Sequence, residues 1–262
     1  MRDLGLQQAI QAAGGVSELA RKIGISQPSV SNWARIPAER VATIEEVTGV
    51  DRALLRPDLF REHANMAGDI DEMDSARAQE YAMLAVLLAR APDADFLSRL
   101  AKLRGDATPL GLAHMALAEA ASQASAEHVS REYFDLFIGL GRGEVLPYAS
   151  YYLTGFLHDR PLARLRGDLQ SLGIERAEGN AEPEDHAAIL CEIMAGVIGG
   201  RFAAPEGTDR QLFEKHMAPW IGRFFADLER AEAAGFYRHV GALGRLFMQV
   251  EMEAFALPYE HA

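Results

Sequence analysis

The residues best equipped for chemistry lie in Glu-Pro-Glu-Asp-His, 182–186, directly ahead of the apolar run AAILCEIMAGVI, 187–198. Three carboxylates and an imidazole crowded together could receive a cation, because a guanidinium grips carboxylates through paired hydrogen bonds. The same letters also make a good helix start. Pro183 suits a first helical position, and Glu184 and Asp185 in a first turn would each complement the helix dipole by about 0.3–1 kcal/mol. His186 is left over by that reading, since Leu190, Ile193, Met194 and Val197 continue below it as the apolar stripe of one helix. Two outcomes stay open: a core histidine bonded to a backbone carbonyl, or a histidine at a groove mouth beside carboxylates that await a cation.

Other chemistry is poorly served. His186, Cys191 and Glu192 are spaced by five and six, which puts them on different helix faces, so no metal set is read there. Cys191 reads as a small core residue, and with one cysteine in the chain no internal disulfide can form. The glycines of GLGRGE, 139–144, follow a helical pattern and precede no Lys-Ser/Thr, so they read as a turn and not a phosphate loop. No nucleophile elbow or His-Glu-x-x-His pair is present. No catalytic residue is assigned, and an enzyme is the weakest class.

The elements that must hold these residues are helical. Apolar residues recur at three and four in segments 81–89, 132–140, 187–198, 213–231 and 236–255, with Gly- and Pro-containing breaks between them. No run is long enough to span a bilayer and no secretory signal is visible, so a cytoplasmic location without membrane contact is expected. The expected fold class is all-α: a small helix-turn-helix domain at 1–60, a linker at 61–74, and a larger helical bundle at 75–258. Residues 1–60 carry seven basic and seven acidic side chains, so the remainder holds the whole net charge of −12. An acidic body favours basic partners and repels nucleic acid, although solubility alone also accounts for it.

In the head, VSELARKIGISQPSVSNWAR, 16–35, gives a helix capped by Ser17 and running to Ile23, a turn at Gly24, and a second helix capped by Ser26 with Pro28 in its first turn. Val30 and Trp33 would face inward. Gln27, Ser31 and Arg35 would share the other side, with Asn32 next to them. This pattern resembles the Cro/YdaS-like helix-turn-helix, and IPAERVATIEEVTGVDRALLRPDLF, 36–60, is similar to that family's continuation. The resemblance implies double-stranded DNA as a partner, with Gln27, Ser29, Ser31, Asn32 and Arg35 as the candidates for reading base edges in the major groove. Few bases accompany them for phosphate contacts, which a homodimer would double.

In the body, the segments 76–100, 132–155, 160–198 and 213–248 resemble, in order and spacing, the TorD-type chaperones that mature molybdoenzymes. That resemblance implies an all-helical chaperone that binds the twin-arginine leader and body of an unfinished molybdoenzyme, for example a formate dehydrogenase-type client, and delays export until the cofactor is inserted. Some members bind guanine nucleotide weakly or form dimers. No other cofactor is implied. The family's Glu-Pro-x-Asp-His motif falls here on Glu182, Pro183, Asp185 and His186, and its Pro-Tyr-x-Ser segment on Pro147, Tyr148 and Ser150. Independently, a leader with two arginines and an apolar stretch calls for carboxylates beside an aromatic groove. Glu182, Glu184, Asp185, His186, Tyr148 and Tyr152 are therefore the expected leader-binding residues, with Tyr151 and Phe156 as further aromatic neighbours. The alternative reading is a transcription regulator whose helical body senses a protein or ligand.

Overall fold

The computed structural model describes residues 3–50, 52–56, 72–176 and 181–257. They form two compact units, Met1–Asp69 and Ile70–Ala262. Among the described residues there is no strand, only one isolated bridge between Tyr148 and His186. No described helix is long and apolar enough to cross a membrane.

The head is built from helices Leu4–Ala13, Val16–Lys22, Gln27–Ser31, Val41–Thr48 and Arg52–Leu55 with a 3-10 turn at Ala38–Arg40. Its core gathers Leu6, Leu19, Ile23, Val30, Ile36 and Ile44. Gly24 takes a left-handed φ of 70°, which is the turn expected of it. Three local expectations need correction. Gly15, not Ser17, is the N-cap of the Val16–Lys22 helix, and that helix stops one residue before Ile23. Ser26 does cap the next helix by position, but its hydroxyl bonds the Ser29 hydroxyl at 2.7 Å instead of a backbone N–H. That helix ends at Ser31, so Trp33 and Arg35 lie beyond it. Beyond it the chain leads to Ile36, which is fully buried, and Pro37 keeps that residue out of helical geometry.

In the body the helix Glu72–Ala89 packs along Ala187–Ile198, and Phe236–Ala256 packs against both Ile221–Arg230 and Pro109–Gln123. The expected linker overlaps this unit: residues 61–71 lie outside the described residues, and 72–74 form the first turn of a helix. Asp74 there pairs with Arg77 at 2.7 Å. Gly244 lets the last helix approach closely, since a Cβ there would sit 2.2 Å from the Phe225 ring.

Two expected helices are interrupted. Segment 132–140 passes from the helix Ala126–Tyr133 into a π turn, Phe134–Ile138, and stops at Gly139 with φ of 61°. The glycine-rich stretch after it is the expected turn. Segment 213–231 is a π turn at Phe213–Met217 followed by a separate helix, Ile221–Arg230. Pro219 is the cause, for it has no N–H to continue the ladder and its ring crowds the preceding turn. The carbonyl of His216 is satisfied by the Trp220 indole N–H at 2.7 Å.

Candidate functional site

The acidic stretch is not a helix first turn. The helix Ala187–Ile198 begins after it, with His186 as N-cap and its Nδ1 accepting from the Ala188 N–H at 3.0 Å. The segment before it is pinned to the one before the helix Ala149–Thr154. Ala187 N–H donates to the Pro147 carbonyl at 2.8 Å and Ala149 N–H to the Asp185 carbonyl at 3.0 Å. The two stretches singled out in the sequence thus meet, each feeding a helix.

Asp185 is 1% exposed, and its carboxylate accepts from the Ser150 N–H at 2.8 Å. It caps the other helix and complements that helix's dipole, as its sequence position could not reveal. Glu182 accepts the Tyr148 hydroxyl at 2.6 Å, and the Tyr148 ring meets His186 edge-on with centroids 5.1 Å apart. Glu184 is bonded to Arg166 at 2.8 Å, with Arg176 at 3.9 Å. Burial works against its charge, yet Arg166 holds the carboxyl below the usual range.

Tyr152 sits in different company. Its hydroxyl donates to Asp227 at 2.9 Å and its ring packs on Trp220 and Phe224. Tyr151 contacts Arg142, with the guanidinium 5.2 Å from the ring centroid, and Phe156 is exposed. Of the expected aromatics, Tyr148 is the one that touches the acidic cluster. Tyr133 joins it unannounced, from the end of the Ala126–Tyr133 helix. Cys191 is wholly buried and its thiol is pushed up by desolvation, which fits a core residue.

Burial pushes the His186 imidazole down to about 4, against the opposing pull of the Glu182 and Asp185 charges. The ring is therefore neutral at pH 7. Because Nδ1 accepts a hydrogen bond, the proton resides on Nε2, and the ring's remaining polar group is a donor. Such a group suits a carbonyl oxygen, not a cation.

His186 and Glu182 open onto a cavity of about 480 Å³ between the Glu72–Ala89 and Ala187–Ile198 helices. Its apolar wall has mostly small residues, Ala82, Ala85, Val86 and Ala89 on one helix and Ala188 and Ala195 on the other, with Ile189 and the Tyr133 ring beside them. Glu192, Arg90 and Arg201 complete its polar rim. A second cavity of about 560 Å³ has Leu169, Ile174, Ile193 and Phe202 in its lining and Glu184 with its arginines at the edge. The arrangement offers carboxylates, one neutral imidazole donor and apolar space, and among the described residues it holds no nucleophile–base pair.

In the head, Gln27, Ser29 and Asn32 are exposed. Gln27 donates to the Ser31 hydroxyl at 2.8 Å, and Arg35 lies 3.3 Å from Asp3. The side expected to be shared by Gln27, Ser31 and Arg35 is therefore not one helical face: Gln27, Ser29 and Ser31 belong to the short helix, Asn32 is its C-cap, and Arg35 lies past it.

Comparison with known proteins follows the same division. Residues 103–226, which contain both paired segments of the site, match the family model described as nitrate reductase delta subunit. Residues 6–64 match the model described as bacterial toxin YdaS. The chaperone protein TorD of Vibrio cholerae serotype O1 is 25% identical over 130 residues, which is 46% of this chain and 59% of that protein. TorD of Shewanella loihica is 24% identical over 204 residues, 69% of this chain and 93% of that protein. A solved structure described as a redox enzyme maturation protein from Archaeoglobus fulgidus is 19% identical, with a TM-score of 0.46, covering 68% of this chain and 95% of that one. The chain spans about three fifths, 59%, of the length of the Vibrio cholerae relatives it matches. In its body this chain resembles the TorD-type maturation chaperones, and in its head the YdaS-like helix-turn-helix proteins.

Proposed function

We propose that this protein is a cytoplasmic chaperone that holds the precursor of a molybdoenzyme, formate dehydrogenase-type clients included, by its twin-arginine leader before export. The observation that carries the reading is Glu182, a carboxylate held by the Tyr148 hydroxyl at 2.6 Å, on the rim of an apolar cavity. A guanidinium of the leader would meet Glu182, and the small-residue wall would take an apolar side chain. The His186 Nε2–H would donate to a leader carbonyl. Asp185 shapes this site from below without touching the guest, and Glu184 serves the loop through its arginines. The test is calorimetry with a synthetic leader peptide against the Glu182→Gln variant.

A second reading concerns the head. Exposed Gln27, Ser29 and Asn32 on and beside a helix that follows a glycine turn favour contact with the major groove of double-stranded DNA. A dimer would double the sparse phosphate contacts, for which exposed Lys22 is a candidate, whereas Arg21 pairs with Glu18 at 2.7 Å. The body would then serve as the sensor of a transcription regulator. Gel shift against the DNA upstream of the protein's own gene tests it.

A further inference from the structure

The two cavities flank one ridge of the Ala187–Ile198 helix and share Ile189, Glu192 and Arg201. Arg201 is carried there by a fold-back of the chain. Phe202 N–H donates to the Gly196 carbonyl at 3.1 Å, and its ring lies so near Gly196 that a Cβ there would stand 2.3 Å away. The Arg201 guanidinium rests over that ring, 5.0 Å from the centroid. It donates to the Glu192 carbonyl at 3.2 Å and stands 3.6 Å from the Glu192 carboxylate.

This pair differs from its neighbour. Glu184 is 13% exposed and bonded at 2.8 Å, whereas Arg201 and Glu192 are 56% and 62% exposed. An exposed pair of that kind contributes little and exchanges readily. It also matters to the cavity's charge. Glu182 and Glu192 face Arg90 and Arg201, with His186 neutral, so the rim balances only while Arg201 is in place.

We propose that Arg201 is an internal stand-in for the guest's guanidinium, holding Glu192 until an arginine of the bound segment displaces it. This rests on the cavity being the site for an arginine-bearing segment. Displacement frees Glu192 for the guest and opens the way across Ile189. The apolar residues that follow the arginines then enter the second cavity, over Leu169, Ile174 and Ile193. The occupant is one peptide, basic at its first end and apolar at its second.

The test is calorimetry on the full chain with a peptide bearing two adjacent arginines and an apolar stretch, and with a copy in which both arginines are glutamine. Arg201→Gln, at an exposed position, should bind the arginine peptide about two- to fivefold more tightly at low salt, the size of an exposed ion pair. It should leave the glutamine copy unchanged, and Glu192→Gln should weaken the arginine peptide by a similar factor. Weaker binding by Arg201→Gln, equal tightening for both peptides, or no change would each overturn the proposal. Failure of Glu182→Gln to alter binding by the otherwise unchanged chain would instead overturn the underlying site, whatever Arg201 does.

Discussion

The Asp185 carboxylate accepts the Ser150 backbone N–H at 2.8 Å, while the Asp185 carbonyl accepts that of Ala149 at 3.0 Å. One residue thus secures the start of a helix 35 positions away. Its side chain is 1% exposed, so removing it leaves a buried N–H without a partner. Asp185→Ala is expected to cost about 1–3 kcal/mol in denaturant unfolding, whereas Asp185→Asn, which keeps an acceptor, should cost under about 1 kcal/mol. Equal stability of the alanine variant and the unsubstituted chain would refute the capping role.

The His186 ring gives a pH dependence of definite sign. Its folded value, about 4, lies below the ordinary histidine value of about 6.5, so the unfolded chain takes up the proton first as pH falls. The contribution is fully present above about 6.5 and is lost between there and about 4, amounting to at most about 3 kcal/mol. His186→Asn keeps a capping acceptor at the helix start and cannot titrate. Unfolding curves from pH 7 to pH 4 should therefore be flatter for the asparagine variant, and identical slopes would contradict this.

Much of the architecture is legible in the chain because local spacing dictates it. The helices at 187–198 and 236–255 show their apolar period directly, and the turn at Gly24 announces itself. What escapes are remote partners. Nothing near Asp185 says that its target is Ser150, and nothing near Glu132 says that it receives the N–H groups of Gly235, Phe236 and Tyr237. The dipole rule is local and assigns the acidic stretch to a first turn, whereas the chain uses Asp185 to hold a neighbouring segment. Tyr152 shared a sequence segment with Tyr148 but lies on the Trp220 side of its helix. Pro219, inside an otherwise unbroken apolar pattern, was the signal for the break at 218–220.

A second remote contact supports the body. Arg77 donates to both oxygens of Glu251 at 2.8 Å, and Glu251, 1% exposed, also receives the Tyr81 hydroxyl at 3.0 Å. Arg77→Met strands that carboxylate and should cost about 3–5 kcal/mol. Thermal unfolding checks it, and a loss below about 1 kcal/mol would show that Tyr81 and water suffice.

The head makes its own prediction. If it reads DNA, Lys22→Ala should weaken binding across all sequences and lower the salt slope by about one per protomer, while Asn32→Ala should relax preference at one base position. Gel shifts at several salt concentrations separate the two effects. An absence of sequence preference at low salt would leave the head as a protein-docking module.

In the proposed function, Glu182 meets a leader guanidinium at the cavity rim. Calorimetry of the full chain against a synthetic twin-arginine peptide is the decisive measurement, with Glu182→Gln and with the same peptide carrying glutamine for both arginines. A charge-assisted hydrogen bond contributes about 1.5–3 kcal/mol, so Glu182→Gln should weaken the arginine peptide by about ten- to a hundredfold and the glutamine peptide hardly at all. Undiminished affinity of a folded Glu182→Gln protein for the arginine peptide would contradict the account.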